Sequence, residues 1–346
     1  MSSLRLGVLA ACTSAPQVVT APWLGARLDR ATRPAVVLAF LVAVLGVGVG
    51  LVGTGLGRAP FLAVLAVAVM WSVAEPAVMG GLSGVASRSA AGDGRIETAD
   101  AVSYGVAAIA GQGLVAGVVL FASPVAIVAV LVALGTIGAA AVARLPLLGA
   151  SSRSTGDRPF RAGIAALVGD PELRAVTVLT TISMSAFGGL ALAAVGIAER
   201  HGRPPAAGAA LVLALACGAV PGAMLARRLG ATARPLAAAF VSVAVVGRAF
   251  AFAFGPWWLG FVGFALAGFA DGPLLAATFA SRTARTPPDL RASVYTIAAG
   301  AKIAGTAVGA VVVGAVIDGR PRAGITILVA FQLVALVAGA AALRRG

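Results

Sequence analysis

Glu75, Asp271 and Lys302 are the side chains whose setting points to chemistry, because each is an ionisable group inside a long apolar run. Charge at the centre of a bilayer is costly, so such groups mark function by default. Glu75 stands 13 residues before Arg88, and Asp271 stands 11 before Arg282. At 1.5 Å per helical residue, each acid lies roughly 16–20 Å from the basic end of its run, near the middle of a bilayer. Lys302, the only lysine, comes 11 residues after Arg291 and reaches the depth of Asp271, so the two could form a buried ion pair. Glu75 has no partner of obvious matching depth, and a carboxyl without a counter-charge suits loading and releasing a proton. Glu75 is the first candidate for proton coupling and Asp271 the second; the alternatives are a water-facing acid and a static structural pair.

The elements that would hold these groups follow from composition. Hydrophobic residues make up 60% of the 346, charged residues 11%, and the mean hydropathy is +1.01. That describes an integral membrane protein made of helices. Eleven segments are long and apolar enough to span, near 4–24, 35–56, 59–83, 99–121, 124–143, 173–197, 206–226, 235–254, 257–281, 292–316 and 323–343. The net charge of +14 sits in short turns, with no basic stripe or interleaved aromatics, which argues against nucleic acid as a partner. Cys12 and Cys217 lie singly in apolar runs and read as small buried residues, so neither a disulfide framework nor a metal site is indicated, and no cofactor motif is present. No Gly-x-x-x-x-Gly-Lys-Ser/Thr phosphate loop occurs, so any driven transport must draw on a gradient.

Arginine placement predicts orientation. If the turn containing Asp29 is cytoplasmic, eighteen arginines fall on that side, against Arg5, Arg58, Arg200, Arg203, Arg320 and Arg322 on the other. This positive-inside bias puts the C-terminus in the cytoplasm of a multi-pass plasma-membrane protein. The chain is also written twice. Pro76 and Arg88 match Pro273 and Arg285 at a spacing of 197, while Arg95 and Gly113 match Arg291 and Gly309 at 196. The same offset gives the 173–197 helix a partner that would precede Met1, so the reading is two six-helix halves lacking the first helix. The organisation expected is residues 1–143 as a five-helix half, 144–172 as a cytoplasmic linker, and 173–346 as a six-helix half. Within the linker, Phe160–Val168 reads as a surface-lying amphipathic helix, and Asp170 with Pro171 as the start of the next span.

Between the first two apolar runs stands Gly25-Ala26-Arg27-Leu28-Asp29-Arg30, closing with Arg33. It has an echo at Gly222 to Gly230, which contains Arg227 and Arg228 but has Ala226 near the place of the acid. These residues resemble the loop signature of the major facilitator superfamily of secondary transporters, in both pattern and position. The resemblance implies a twelve-helix bundle of two halves, here minus one helix, in which Asp29 and its arginines latch the halves on the cytoplasmic side against a helix start in the opposite half. Local pairing of Asp29 with Arg30 or Arg33 is the alternative. The stretches Pro76 to Ser83 and Gly111-Gln112-Gly113 are similar to those of proton-driven drug exporters, with Gln112 where proline is usual.

Together these features predict a carrier, not an enzyme, that sits in a lipid bilayer and exports a small amphipathic molecule by alternating access, coupled to protons. Two other readings stay open: a truncated, non-transporting remnant of such a bundle, and a multi-spanning membrane enzyme, which the single His201 and short loops disfavour.

Overall fold

Prolines set the helix starts. In the computed structural model, α2 (Pro34–Gly55), α6 (Pro124–Ala143), α7 (Pro159–Gly169), α8 (Pro171–Arg200), α10 (Pro235–Ala251) and α13 (Pro321–Arg344) each begin on one. There the missing N–H costs nothing and the fixed φ suits a first turn. The remaining helices are α1 (20–30), α3 (Phe61–Ser72), α4 (Leu82–Ser89), α5 (98–107), α9 (Gly208–Leu225), α11 (Trp257–Arg285) and α12 (Arg291–Val316). The structure describes residues 16–17, 20–55, 59–89, 98–107, 110–111, 124–149, 159–226, 228–317 and 320–344. The expected spans 4–24 and 99–121 and the middle of the expected 144–172 linker, with Cys12, Arg95, Gly113 and Arg227, lie wholly or partly outside these residues.

The fold is all-α, with no strand among the described residues. Seven described helices, α2 and α8 to α13, are long and apolar enough to cross a membrane. The expected span 59–83 is not one helix. A turn at Val73–Ala74 follows α3, and after Pro76 the chain runs as a π-helical segment, Ala77–Gly81, before α4. Proline removes an i−4 hydrogen bond, and the Gly80-Gly81 pair after it tolerates the wider turn. Its repeat partner Pro273 leaves α11 unbroken.

Packing follows the small residues. Helices α2 and α6 meet where a Cβ on Gly46 would come within 3.2 Å of Gly135 Cα, and α9 packs along α11 through Gly218, Gly222, Gly268 and Gly272. Without a hydrophobic drive between helices in lipid, close backbone approach and buried hydrogen bonds supply the association. Two such bonds join α8 to α13, where the Ser183 hydroxyl donates to Gln332 Oε1 at 2.7 Å and Gln332 Nε2 donates to the Ser183 carbonyl at 3.1 Å. Helix α7 forms as expected, but its apolar face rests on protein, with Leu167 packed against Leu173 and Val294. Asp170 caps α8, accepting from Leu173 N–H at 2.9 Å. Cys217 is exposed rather than buried.

Candidate functional site

Two neighbouring pockets, which share Met79, Tyr104, Leu275 and Lys302, form the lobes of a cavity between the first and second parts of the chain; Glu75 and Lys302 border one, Asp271 and Lys302 the other. The smaller, about 100 Å³, is bordered by Glu75, Tyr104, Arg282, Tyr295 and Lys302. The larger, about 330 Å³, is bordered by Thr180, Met184, Phe187, Asp271 and again Tyr104 and Lys302. Met79 and Leu275 also border both lobes. Glu75 follows the turn at Val73–Ala74 and Met79 lies in the π-helical segment, while α8, α9, α11 and α12 supply the opposite wall. Asp271 and Lys302 act on each other electrostatically, but no ion pair within 4.0 Å joins them. The polar surface is therefore concentrated in a few charged groups within apolar walls, the arrangement of a small-molecule site. Among the described residues no cluster of His, Cys, Asp or Glu could hold a metal.

Glu75 does have a partner. Gln17 Nε2 donates to Glu75 Oε2 at 2.9 Å, a contact across 58 residues that depth along a helix could not reveal. Trp71, a few residues away, packs against Gly48 of α2 and borders neither lobe.

The arginine-rich end of the cavity is closed by Asp29. Its two carboxylate oxygens accept from the backbone N–H groups of Ala292, at 2.9 Å, and Ser293, at 2.7 Å, in the first turn of α12. Orphan N–H groups at a helix start form a ready anion site. Arg88 Nη1 adds an ion pair at 3.6 Å, and its Nη2 donates to the Leu148 carbonyl at 3.1 Å. Burial pushes the Asp29 carboxyl up to about 6 despite these partners, and lowers the Arg88 guanidinium. From the other side Arg291 Nη1 donates to the Ser87 carbonyl at 2.8 Å. The contact requires glycines: a Cβ on Gly25 or Gly84 would lie 2.8 Å from the Cα of Ser293 or Ala292.

Of the loop residues, Gly25 and Asp29 enter this closure, whereas Arg30 and Arg33 are exposed. The basic partner of Asp29 is Arg88. The echo is built differently: Ala226 is fully buried in an apolar cluster with Ala101 and Ala223, Arg228 is exposed, and Gly222 packs on α11 beside the Phe269 carbonyl. That carbonyl is four residues before Pro273 and so lacks its helical donor. Arg285, the repeat partner of Arg88, pairs with Asp170 at 3.3 Å and with Glu172. Arg248 is exposed, while His201 ends α8 against Trp257.

Sequence reasoning passed over Gln17, Tyr104, Tyr295 and Arg282. Arg282 counted among the topology arginines, yet it is 2% exposed and borders the smaller lobe. Its position 11 residues from Asp271, three turns along one helix face, was the available signal.

A multi-helix membrane bundle with a cavity between its two parts and an acid-to-helix closure at one end has the fold of major facilitator transporters. The structure is similar to that of the human organic anion transporter MFSD10 (TETRAN), with a TM-score of 0.75 and 16% identity over 96% of this chain and 82% of that one. It is also similar to a bacterial homologue of the iron transporter ferroportin, in an outward-facing state with soaked iron, at a TM-score of 0.66 and 15% identity over 98% and 89%. At such identities the likeness establishes the fold. No family model matches the sequence, and no curated protein matches it.

Proposed function

We propose that this protein is a secondary transporter of the plasma membrane that exports a small amphipathic molecule by alternating access, driven by protons. The observation that carries the reading is the cavity holding Glu75, Asp271 and Lys302, with the Asp29 closure at its arginine-rich end. Residues 1–143 and 173–346 are taken as the two bodies that rock about it, joined by 144–172, with the closed end cytoplasmic. Glu75 is the proton carrier: its Gln17 partner can follow either protonation state, because an amide both donates and accepts. Asp271 is the second, with Lys302 compensating its charge. The two structural neighbours are an organic anion transporter and a homologue of an iron transporter, cargoes too unlike to select one for this chain.

The test is transport in proteoliposomes with an imposed pH gradient, comparing wild type with Glu75→Gln and Asp271→Asn. Glu75→Gln is expected to abolish gradient-driven accumulation while leaving counterflow exchange, since the carrier can still reorient. A well-folded wild type that moves nothing under a gradient or in counterflow would favour the non-transporting remnant.

A further inference from the structure

Arg282 is a buried cation, and among the described residues no carboxylate forms an ion pair with it. Among the described residues its Nε and Nη2 have no hydrogen-bond partner, and its guanidinium lies 5.7 Å from the ring centre of Tyr295. The groups that act on it electrostatically are the phenols of Tyr104 and Tyr295 and the like charge of Lys302. The acids of the cavity are engaged elsewhere, Glu75 with Gln17 and Asp271 facing Lys302. An unpaired guanidinium out of water is strongly destabilising, and its fork of donors fits a carboxylate in two parallel hydrogen bonds. Among the described residues no ion pair joins Arg282 to a carboxylate. The smaller lobe, about 100 Å³, suits an acidic head group, and it adjoins the larger apolar lobe across Lys302.

We infer that the cavity takes a small organic anion, its acidic group held by Arg282 with Lys302 close by, and its apolar body against Met79, Leu275 and Phe187. This rests on the transport reading and specifies its cargo class. Arg282 is then a binding residue that sets charge selectivity, distinct from the Glu75 proton carrier.

The experiment uses the full chain in lipid nanodiscs with three probes of one shape: 2-naphthoate, neutral 2-naphthamide and cationic 2-naphthylmethylammonium, followed by thermal shift and fluorescence titration. The naphthoate is expected to bind and the other two to bind far more weakly. Arg282→Gln should weaken naphthoate by about tenfold or more, the loss expected for one charge-assisted contact, and Arg282→Lys should fall between. If Arg282→Gln does not melt cooperatively, Lys302→Gln provides the second variant, with a smaller loss of the same sign. Equal binding of the three probes, unchanged naphthoate affinity in Arg282→Gln, or no naphthoate binding at millimolar concentration would overturn the inference. Binding without movement across proteoliposomes would sink the transport reading and leave the anion site standing. Movement of the neutral or cationic probe, indifferent to Arg282→Gln, would do the reverse.

Discussion

Asp29 concentrates the closure in one carboxylate, and its protonation should report on the closed state. With its pKa raised from 3.8 to about 6 by burial, the closed form binds a proton more tightly than an open form in which Asp29 meets water. Lowering the pH through the window from about 6 to about 4 therefore favours closure, and that contribution fades as pH rises above it. Spin labels at the exposed Thr32 and Val168, after replacement of Cys12 and Cys217, should show a growing short-distance population on acidification. Asp29→Ala should remove the response; an identical response in that variant would assign it to another group. The same substitution leaves the Ala292 and Ser293 N–H groups and Arg88 without their acceptor. It is expected to lower stability by about 1–3 kcal/mol, read as a lower melting temperature. Gly25 and Asp29 were legible because they stand together in a short signature. Arg88 and Gln17 were not, because nothing local in the sequence ties them to Asp29 or to Glu75.

At the scale of elements, two glycines of similar appearance have different work. Gly84 on α4 faces Ala292 across the closure, whereas Gly222 on α9 packs within its own half against α11 at Phe269. Gly84→Val should hold the arginine-rich end apart with little change in melting temperature, detected as faster maleimide reaction of a cysteine placed at Ser87, which is 4% exposed in the closed form. Gly222→Val should instead lower the melting temperature, because neither backbone can retreat without separating two long helices. Comparable melting losses in both variants would contradict this division. The break at Pro76 belongs to the same scale. Pro76 and Pro273 occupy matching repeat positions, yet only the first is followed by a π segment. The Gly80-Gly81 pair after Pro76 was a local clue to the difference. The support of Pro273 by α9 is tertiary, and no local pattern contains it.

Across the whole molecule, the all-α membrane fold and the apolar lengths of its long helices could be read from sequence because membrane burial imposes them on each segment separately. The cavity could not, since it exists only where the Glu75–Gly80 stretch, α5, α8, α9, α11 and α12 face one another. Orientation lies between these cases. The eighteen-to-six arginine bias predicts it, but Arg88, Arg282 and Arg291, counted in that bias, are largely or wholly withdrawn into the closure and the cavity. Removing them gives 18 − 3 = 15 against six, and the sign of the bias survives. The closed end and the C-terminus should thus both be cytoplasmic. In a background with Cys12 and Cys217 replaced, single cysteines at the exposed Arg203 and Arg228 separate the two sides. On intact cells an impermeant maleimide should label position 203 and spare position 228 until the membrane is opened. The opposite pattern would invert the bundle, put the Asp29 closure on the outer face and turn the proposed export into import.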